Sequence, residues 1–388
     1  CFEMMERSGF WPNVVTYLCI LKACGLAGAI GKGEKIHAEI VRERLLEKNV
    51  SLGNALIDMY AKFGLMAKAE GVFESLQPVR NEVSWNTLIG GYSQNGFCEE
   101  ALDYFEQMQD GGFSPNVVTF LYILKACVGN QGLVKKGEEI HAIIDGLGLS
   151  EKNITLGTAL VDMYAKCGEL EKAQEVHENL PLRNVVSSNA LISGYAQWGQ
   201  GDKALKCFEW MQSEGFSPDA ITFICILKAC GSTGAIDKGK QIHDNIVNSG
   251  LLEKEIMLGT ALVDMYAKCG MPVKAKEVFD EFPSRDVVLW NAHISSYVQV
   301  GQVREAFSSF AQMVSEGISP NAITFLVLLT SCSHAGLVKE GEMYFDAMDK
   351  VHFLVPTIEH YCCMVDLYVR VGLFEEAIAL IEKAPSSS

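Results

Sequence analysis

The sequence is short of positive charge, of long apolar runs and of metal-binding spacings. Each shortage excludes something. Lys and Arg number 32 against 48 Asp and Glu, so 32 − 48 leaves a formal charge of −16. A chain of that sign does not hold nucleic acid by bulk charge alone. No stretch approaches the roughly 18 consecutive apolar residues of a membrane span. Thirteen cysteines are present, yet no Cys-x-x-Cys pair occurs: Cys362 and Cys363 are adjacent, and Cys19 and Cys24 lie five apart. That argues against a zinc ribbon or a dithiol redox centre. A Walker loop, a G-x-G-x-x-G turn and a Ser/His/Asp context are missing too.

What is present is a repeat. Ile-Leu-Lys-Ala-Cys occurs at 20–24, 123–127 and 226–230, with Leu-Leu-Thr-Ser-Cys at 328–332. Asp-Met-Tyr-Ala-Lys occurs at 58–62, 162–166 and 264–268, with Asp-Leu-Tyr-Val-Arg at 366–370. Each ~103-residue step divides into three shorter modules, because Asn54, Asn86, Leu121, Thr158 and Asn189 head similar motifs. Within 82–116, Trp85, Leu88, Ile89 and Tyr92 follow helical spacing. Gly96 breaks that helix, and Ala101, Leu102, Phe105 and Met108 form a second apolar stripe. A helix pair cannot bury its stripe alone, so neighbouring pairs must stack. The expected fold is all-α: an α-solenoid with one continuous core. Eleven modules are expected, at 14–49, 50–81, 82–116, 117–153, 154–184, 185–219, 220–255, 256–286, 287–321, 322–357 and 358–388. A partial repeat, a second helix, is expected at 1–13. The chain opens at Cys1 without an initiator Met, and both ends read as cut.

The Trp-x₂-Leu-Gly-x₂-Tyr signature of tetratricopeptide repeats is absent. First helices instead read Val-Ser-Trp-Asn-Thr-Leu-Ile-Gly-Gly-Tyr (83–92), and modules end in Gly-x-x-Pro-Asn/Asp. Leu-Gly-Thr-Ala-Leu-Val-Asp-Met-Tyr-Ala-Lys-Cys-Gly stands at 156–168 and again at 258–270. The sequence thus resembles the pentatricopeptide repeat family, and its cycling module lengths resemble the plant-type PLS class. The resemblance implies that the solenoid winds as a right-handed superhelix and binds single-stranded RNA sequence-specifically, one base per module. It implies base reading by the fifth residue of the first helix together with the last residue of the module. Here those pairs are Asn54 with Asn81, Asn86 with Asn116, Thr158 with Asn184, Asn189 with Asp219, Thr260 with Asp286, and Asn291 with Asn321. The family's pairing rules then give C, C, A, U, G and C. Leu18, Leu121, Ile224 and Leu326 stand at the fifth position of the long modules and can neither donate nor accept. The expected preference, 5′ to 3′, is C-C-n-A-U-n-G-C. Val83, Val186, Ile221 and Val288 would flank the bases. Lys62, Lys166, Lys268 and Arg370, at position 13 of the short modules, would lie near phosphates. Four such cations would give a modest salt slope, roughly −0.7 per phosphate.

Plainer readings stay open beside these. Asn or Thr near a helix start can be a cap, and Asn or Asp after Pro can be a turn residue. The Val and Ile residues can be core, and the Lys row can be a solvated helix end. The repeated cysteines read as small buried residues, with copies too far apart for disulfides. His37-Ala-Glu39 matches half of a zinc deaminase signature, but His141 and His243 recur at the same position without the Glu, so a structural role is expected. No metal, cofactor or catalytic residue is expected in this chain. The resemblance leaves room for a zinc cytidine deaminase domain in the full-length protein. The implied role is selecting sites for C-to-U editing of organellar RNA in a mitochondrion or chloroplast, with editing cofactors or a deaminase in trans as partners. Transcript stabilisation or splicing, or a protein-binding scaffold, are the alternatives. A membrane partner is not expected.

Overall fold

Glycine or proline follows most helix ends, with Arg44 and Phe353 taking the left-handed conformation after two others, and short polar caps open most first helices, although Asn49 and Glu255 at two such starts make no side-chain cap bond. The computed structural model describes residue 5 and residues 12–384, apart from Pro78, Asn130, Glu151, Glu253, Lys254, Pro283 and Ser284. Most of the partial repeat expected at 1–13, and the chain beyond 384, lie outside the described residues. Among the described residues there are 22 α-helices, one 3₁₀ turn and no strand.

The chain divides into two compact units, residues 1–183 and 184–388. The first holds α1 (Val14–Ala27), α2 (Ile30–Arg42), α3 (Val50–Lys62), α4 (Met66–Ser75), α5 (Glu82–Gln94), α6 (Cys98–Asp110), α7 (Val117–Cys127), α8 (Val134–Gly146), α9 (Ile154–Cys167) and α10 (Leu170–Asn179). The second holds α11 (Val185–Gln197), α12 (Gly201–Ser213), α13 (Ala220–Thr233), α14 (Ile236–Asn248), α15 (Ile256–Lys268), α16 (Pro272–Glu281), α17 (Val287–Gln299), α18 (Val303–Ser315), α19 (Ala322–Ala335), α20 (Val338–Lys350), α21 (Ile358–Arg370) and α22 (Phe374–Lys383).

Within each unit the odd-numbered helices pack side by side in chain order, and each even-numbered helix packs on the helix before it. Two layers result, and the core lies between them. Leu56, Ile57, Leu88, Ile89 and Phe105 are fully or almost fully buried in the first unit, as are Leu262, Val263, Trp290, Ile294 and Phe325 in the second. The aromatic joints repeat. Phe73 meets Trp85 edge-on at 4.8 Å under the Arg80 guanidinium, and Phe279 meets Trp290 at 4.7 Å under Arg285.

The recurring histidines are structural. His37, His141 and His243 place Nδ1 at 2.8, 3.0 and 2.9 Å from the hydroxyls of Tyr60, Tyr164 and Tyr266. Two further histidines sit in the core. His177 takes the place held by Phe73 and Phe279 in equivalent helices, and His293 takes that of Leu88 and Leu191. Burial, then Arg183, holds the His177 pKa down to about 4; burial, then Lys276 and Arg285, does the same for His293.

Two different repeated cysteine positions meet within each unit. The Cys167 thiol donates to the Cys127 carbonyl at 3.3 Å, and Cys269 lies 3.8 Å from the Cys230 carbonyl. Burial raises the thiol pKa of Cys127 and Cys230 to about 12, which keeps them protonated. Among the described residues no group of His, Cys, Asp and Glu could hold a metal ion. No described helix is long and apolar enough to cross a membrane.

Candidate nucleic-acid interface

In each unit the first-helix layer presents a face on which candidate residues of that unit gather. Each expected last-position residue is the N-cap of the helix that follows it. Asn81 caps α5, Asn116 caps α7, Asn184 caps α11, Asp219 caps α13, Asp286 caps α17 and Asn321 caps α19. In each, a side-chain oxygen accepts a backbone N–H of the first turn, which satisfies an otherwise orphaned donor. The fifth-position residues are not caps: they sit one turn inside their helices.

Capping accounts for only one side of these residues. In three helix pairs the fifth residue reaches the cap of the next first helix. Asn86 Nδ2 donates to Asn116 Oδ1 at 3.2 Å, Asn189 Nδ2 to Asp219 Oδ1 at 3.0 Å, and Asn291 Nδ2 to Asn321 Oδ1 at 3.1 Å. A third residue completes each contact. The hydroxyls of Thr119, Thr222 and Thr324 donate to Oδ1 of Asn86, Asn189 and Asn291 at 2.6, 2.7 and 2.7 Å. These threonines are fully buried and were not among the sequence candidates. Their signal was the Val/Ile-Thr-Phe triplet after each Asn or Asp.

The network fixes which atoms are left over. Asn116 Oδ1 is saturated by Val118 N, Thr119 N and Asn86 Nδ2. Its Nδ2 has no hydrogen-bond partner among the described residues, and the same holds for Asn321 Nδ2. Asp219 uses Oδ1 in the same way and leaves Oδ2 open. The leftover atom is therefore a donor at Asn116 and Asn321 and an acceptor at Asp219. Burial raises the Asp219 pKa, but the bonds from Thr222, Asn189 and the Ile221 backbone outweigh it and hold the carboxyl below its ordinary value. Asp219 is thus a carboxylate at neutral pH.

The remaining pairs differ. The structure gives no hydrogen bond between Asn54 and Asn81 or between Thr260 and Asp286. Asn54 Oδ1 is buried without a partner, and the Thr260 hydroxyl turns back to the Ile256 carbonyl at 3.3 Å. Thr158, half-buried on α9, belongs to the first unit and Asn184 to the second.

Val83, Val186, Ile221 and Val288 are each more than half exposed, so the core reading of them fails. Val15, Val118, Met257 and Ile323, at the same helix position, are exposed as well. In the first unit a groove of about 370 Å³ is lined by Asn54, Asn86, Asn116, Val83, Val118 and Tyr122, among others. In the second unit a groove of about 620 Å³ brings Thr260, Asp286, Asn291, Met257, Val288 and Lys268 together.

The cation row carries an unforeseen partner. Lys62, Lys166, Lys268 and Arg370 pair with Asp58, Asp162, Asp264 and Asp366 at 2.6, 2.8, 2.6 and 2.7 Å, each four residues back on its own helix. These cations are neutralised in place.

Comparison with known proteins agrees with this geometry. A family model described as "PPR repeat family" matches residues 80–129, 183–232 and 285–334. One described as "PPR repeat" matches 54–77, 158–185, 260–287, 323–353 and 359–387, and together they cover more than half of the chain. A pentatricopeptide repeat-containing protein of Arabidopsis thaliana is 36% identical over 99% of the chain, which spans 60% of that relative. Another is 37% identical over 99% of the chain, which spans 68% of it. Two more from that plant, named chloroplastic and mitochondrial, are 36% and 34% identical and are spanned over 57% and 55% of their length. Among solved structures, the maize pentatricopeptide repeat protein PPR10 in complex with an 18-nt psaJ RNA element matches with a TM-score of 0.76 and 25% identity. That match covers 98% of this chain and 56% of the maize chain.

Proposed function

The chain belongs to the pentatricopeptide repeat family, and from that premise we propose that it binds single-stranded RNA in a sequence-specific way. The observation that carries the proposal is the set of three hydrogen-bonded reader pairs with one polar atom left over in each. A uracil presents its N3–H donor on the Watson–Crick edge, which suits the open Asp219 carboxylate oxygen. A cytosine presents the N3 lone pair, which suits the open amide of Asn116 or Asn321. The exposed Val and Ile residues at the second helix position supply apolar faces between which bases stack. The Thr158 and Thr260 hydroxyls take the purines in this scheme. The maize neighbour's RNA complex supports RNA as the ligand.

The target is C-C-n-A-U-n-G-C, read by the modules from 50–81 to 287–321. The PLS arrangement of standard, long and short modules is part of the proposal, and so is a role in choosing organellar sites for C-to-U editing. Chloroplastic and mitochondrial relatives support the location. The test is a gel shift with this RNA and with one carrying G for A and A for U at the fourth and fifth positions. Tighter binding of the first is expected. Equal binding refutes base reading, and no binding of either at low salt favours a protein-binding scaffold.

A further inference from the structure

Three modules carry an Asn–Asn pair, and in two of them, Asn86 with Asn116 and Asn291 with Asn321, the amides are hydrogen-bonded alike, so that pairing rules make these two equivalent. The floors beneath the two pairs are not equivalent. Tyr122 on α7 lies four residues beyond Val118, so the two stand one turn apart on the same face. Its ring packs over Gly90 on α5. A Cβ built on Gly90 would lie 2.7 Å from Tyr122 Cε2 and 2.8 Å from Cζ, so the ring fills the space a side chain would take. The Ser93 hydroxyl, which donates to the Tyr122 carbonyl at 2.8 Å, holds the two helices at this separation. Both Gly90 and Tyr122 line the groove with Asn86, Asn116, Val83 and Val118. In the second unit the corresponding positions are Ser295 and Val327, which line the groove holding Asn291, Val288 and Ile323. A small side chain on each helix there replaces a glycine facing an aromatic ring.

We propose that Tyr122, seated on Gly90, narrows the pocket beneath the Asn86–Asn116 pair and makes it reject purines, so that this module and the Asn291–Asn321 module differ in strictness. Tyr122 is thus a specificity-determining residue outside the two code positions. The physical basis is packing. The ring lies against the α5 backbone at Gly90 and cannot retreat through it, so a larger base meets a fixed wall. Beneath Asn291, Val327 leaves that volume open. The inference deepens the RNA-binding proposal and rests on it.

The test measures affinity for C-C-n-A-U-n-G-C with C replaced by A or G at the second or at the eighth position. The purine penalty should be about tenfold greater at the second position than at the eighth. The double variant Gly90→Ser with Tyr122→Val copies the pair that the chain already carries at Ser295 and Val327, and it should remove the excess. The reciprocal variant, Ser295→Gly with Val327→Tyr, should create a strict eighth position and controls for distance from the RNA ends. Equal penalties in the unmodified protein, or an excess unchanged by both exchanges, overturn the role of Tyr122 while base reading stands. Absence of any base preference at both positions overturns base reading itself.

Discussion

Replacing Asp219 by Asn isolates the reading atom from the fold. Asn and Asp serve about equally as helix caps, so α13 keeps its start. Oδ1 can still accept from Thr222 N, the Thr222 hydroxyl and Asn189 Nδ2, the three bonds now made at 2.8, 2.9 and 3.0 Å. What changes is the open atom, from a carboxylate oxygen to an amide donor. With uracil opposite, a charge-assisted hydrogen bond worth about 1.5–3 kcal/mol is lost, and two donors face each other. With cytosine opposite, a clash of acceptors becomes a neutral bond worth about 1 kcal/mol. The preference at the fifth nucleotide should therefore reverse from U to C. Each nucleotide's affinity should change by about tenfold or more in opposite directions. The assay is a competition gel shift with the two RNAs, alongside thermal melts that should coincide for the two proteins. A variant that melts like the parent and still prefers U would refute the reasoning, because the open atom would then not be the reader.

Other outcomes follow from the same geometry. His293→Leu should flatten the acid limb of stability. A histidine held at about 4 when folded and about 6.5 when unfolded is protonated more readily in the unfolded chain. Stability is therefore full above pH 6.5 and falls as pH drops toward 4, by about 2 kcal/mol at pH 5. Urea midpoints of parent and variant at pH 5 and 7.5 check this, and equal pH dependence would refute it. Asp58→Asn should release Lys62 from its ion pair and steepen the salt dependence of RNA binding by up to about 0.7 in log–log slope. An unchanged slope would remove Lys62 from the phosphate path. Thr222→Val should strip both the Asn189 carbonyl and the cap carboxylate of a partner. A stability loss of about 1–3 kcal/mol in melts, with weakened U preference, is expected; loss of one without the other would uncouple cap and reader.

The helix pairs were legible because Gly and Pro mark their ends and each stripe keeps one period. The candidate reader residues came from the family resemblance, and their contacts with one another were not legible. Asn86 and Asn116 are 30 residues apart, and nothing local says that one amide will reach the other. The role of Thr119 depends on a side chain from the neighbouring pair, 33 residues away. The Lys62–Asp58 pair is a different case. Its four-residue spacing stands in Asp-Met-Tyr-Ala-Lys, and the recurrence of the Lys drew attention from the equally recurrent Asp. The repeated cysteines are the small buried residues expected at Cys24, Cys127, Cys167, Cys230 and Cys332, but the contact between the Cys167 thiol and the Cys127 carbonyl joins two different repeated positions and was not legible.

The double duty of Asn116, Asp219 and Asn321 limits how such a protein can change its target over time. The side chain that faces the RNA of one module in the proposed binding mode also starts the helix of the next. An exchange between Asn and Asp leaves that start intact and is open to drift. A change to Ala, Leu or Lys weakens the following helix by about 1 kcal/mol as well as altering recognition. The usable alphabet at this position is thereby reduced to the few short residues that can begin a helix. A repertoire of targets must then be explored through that small set, which ties the evolution of specificity to the grammar of helix initiation.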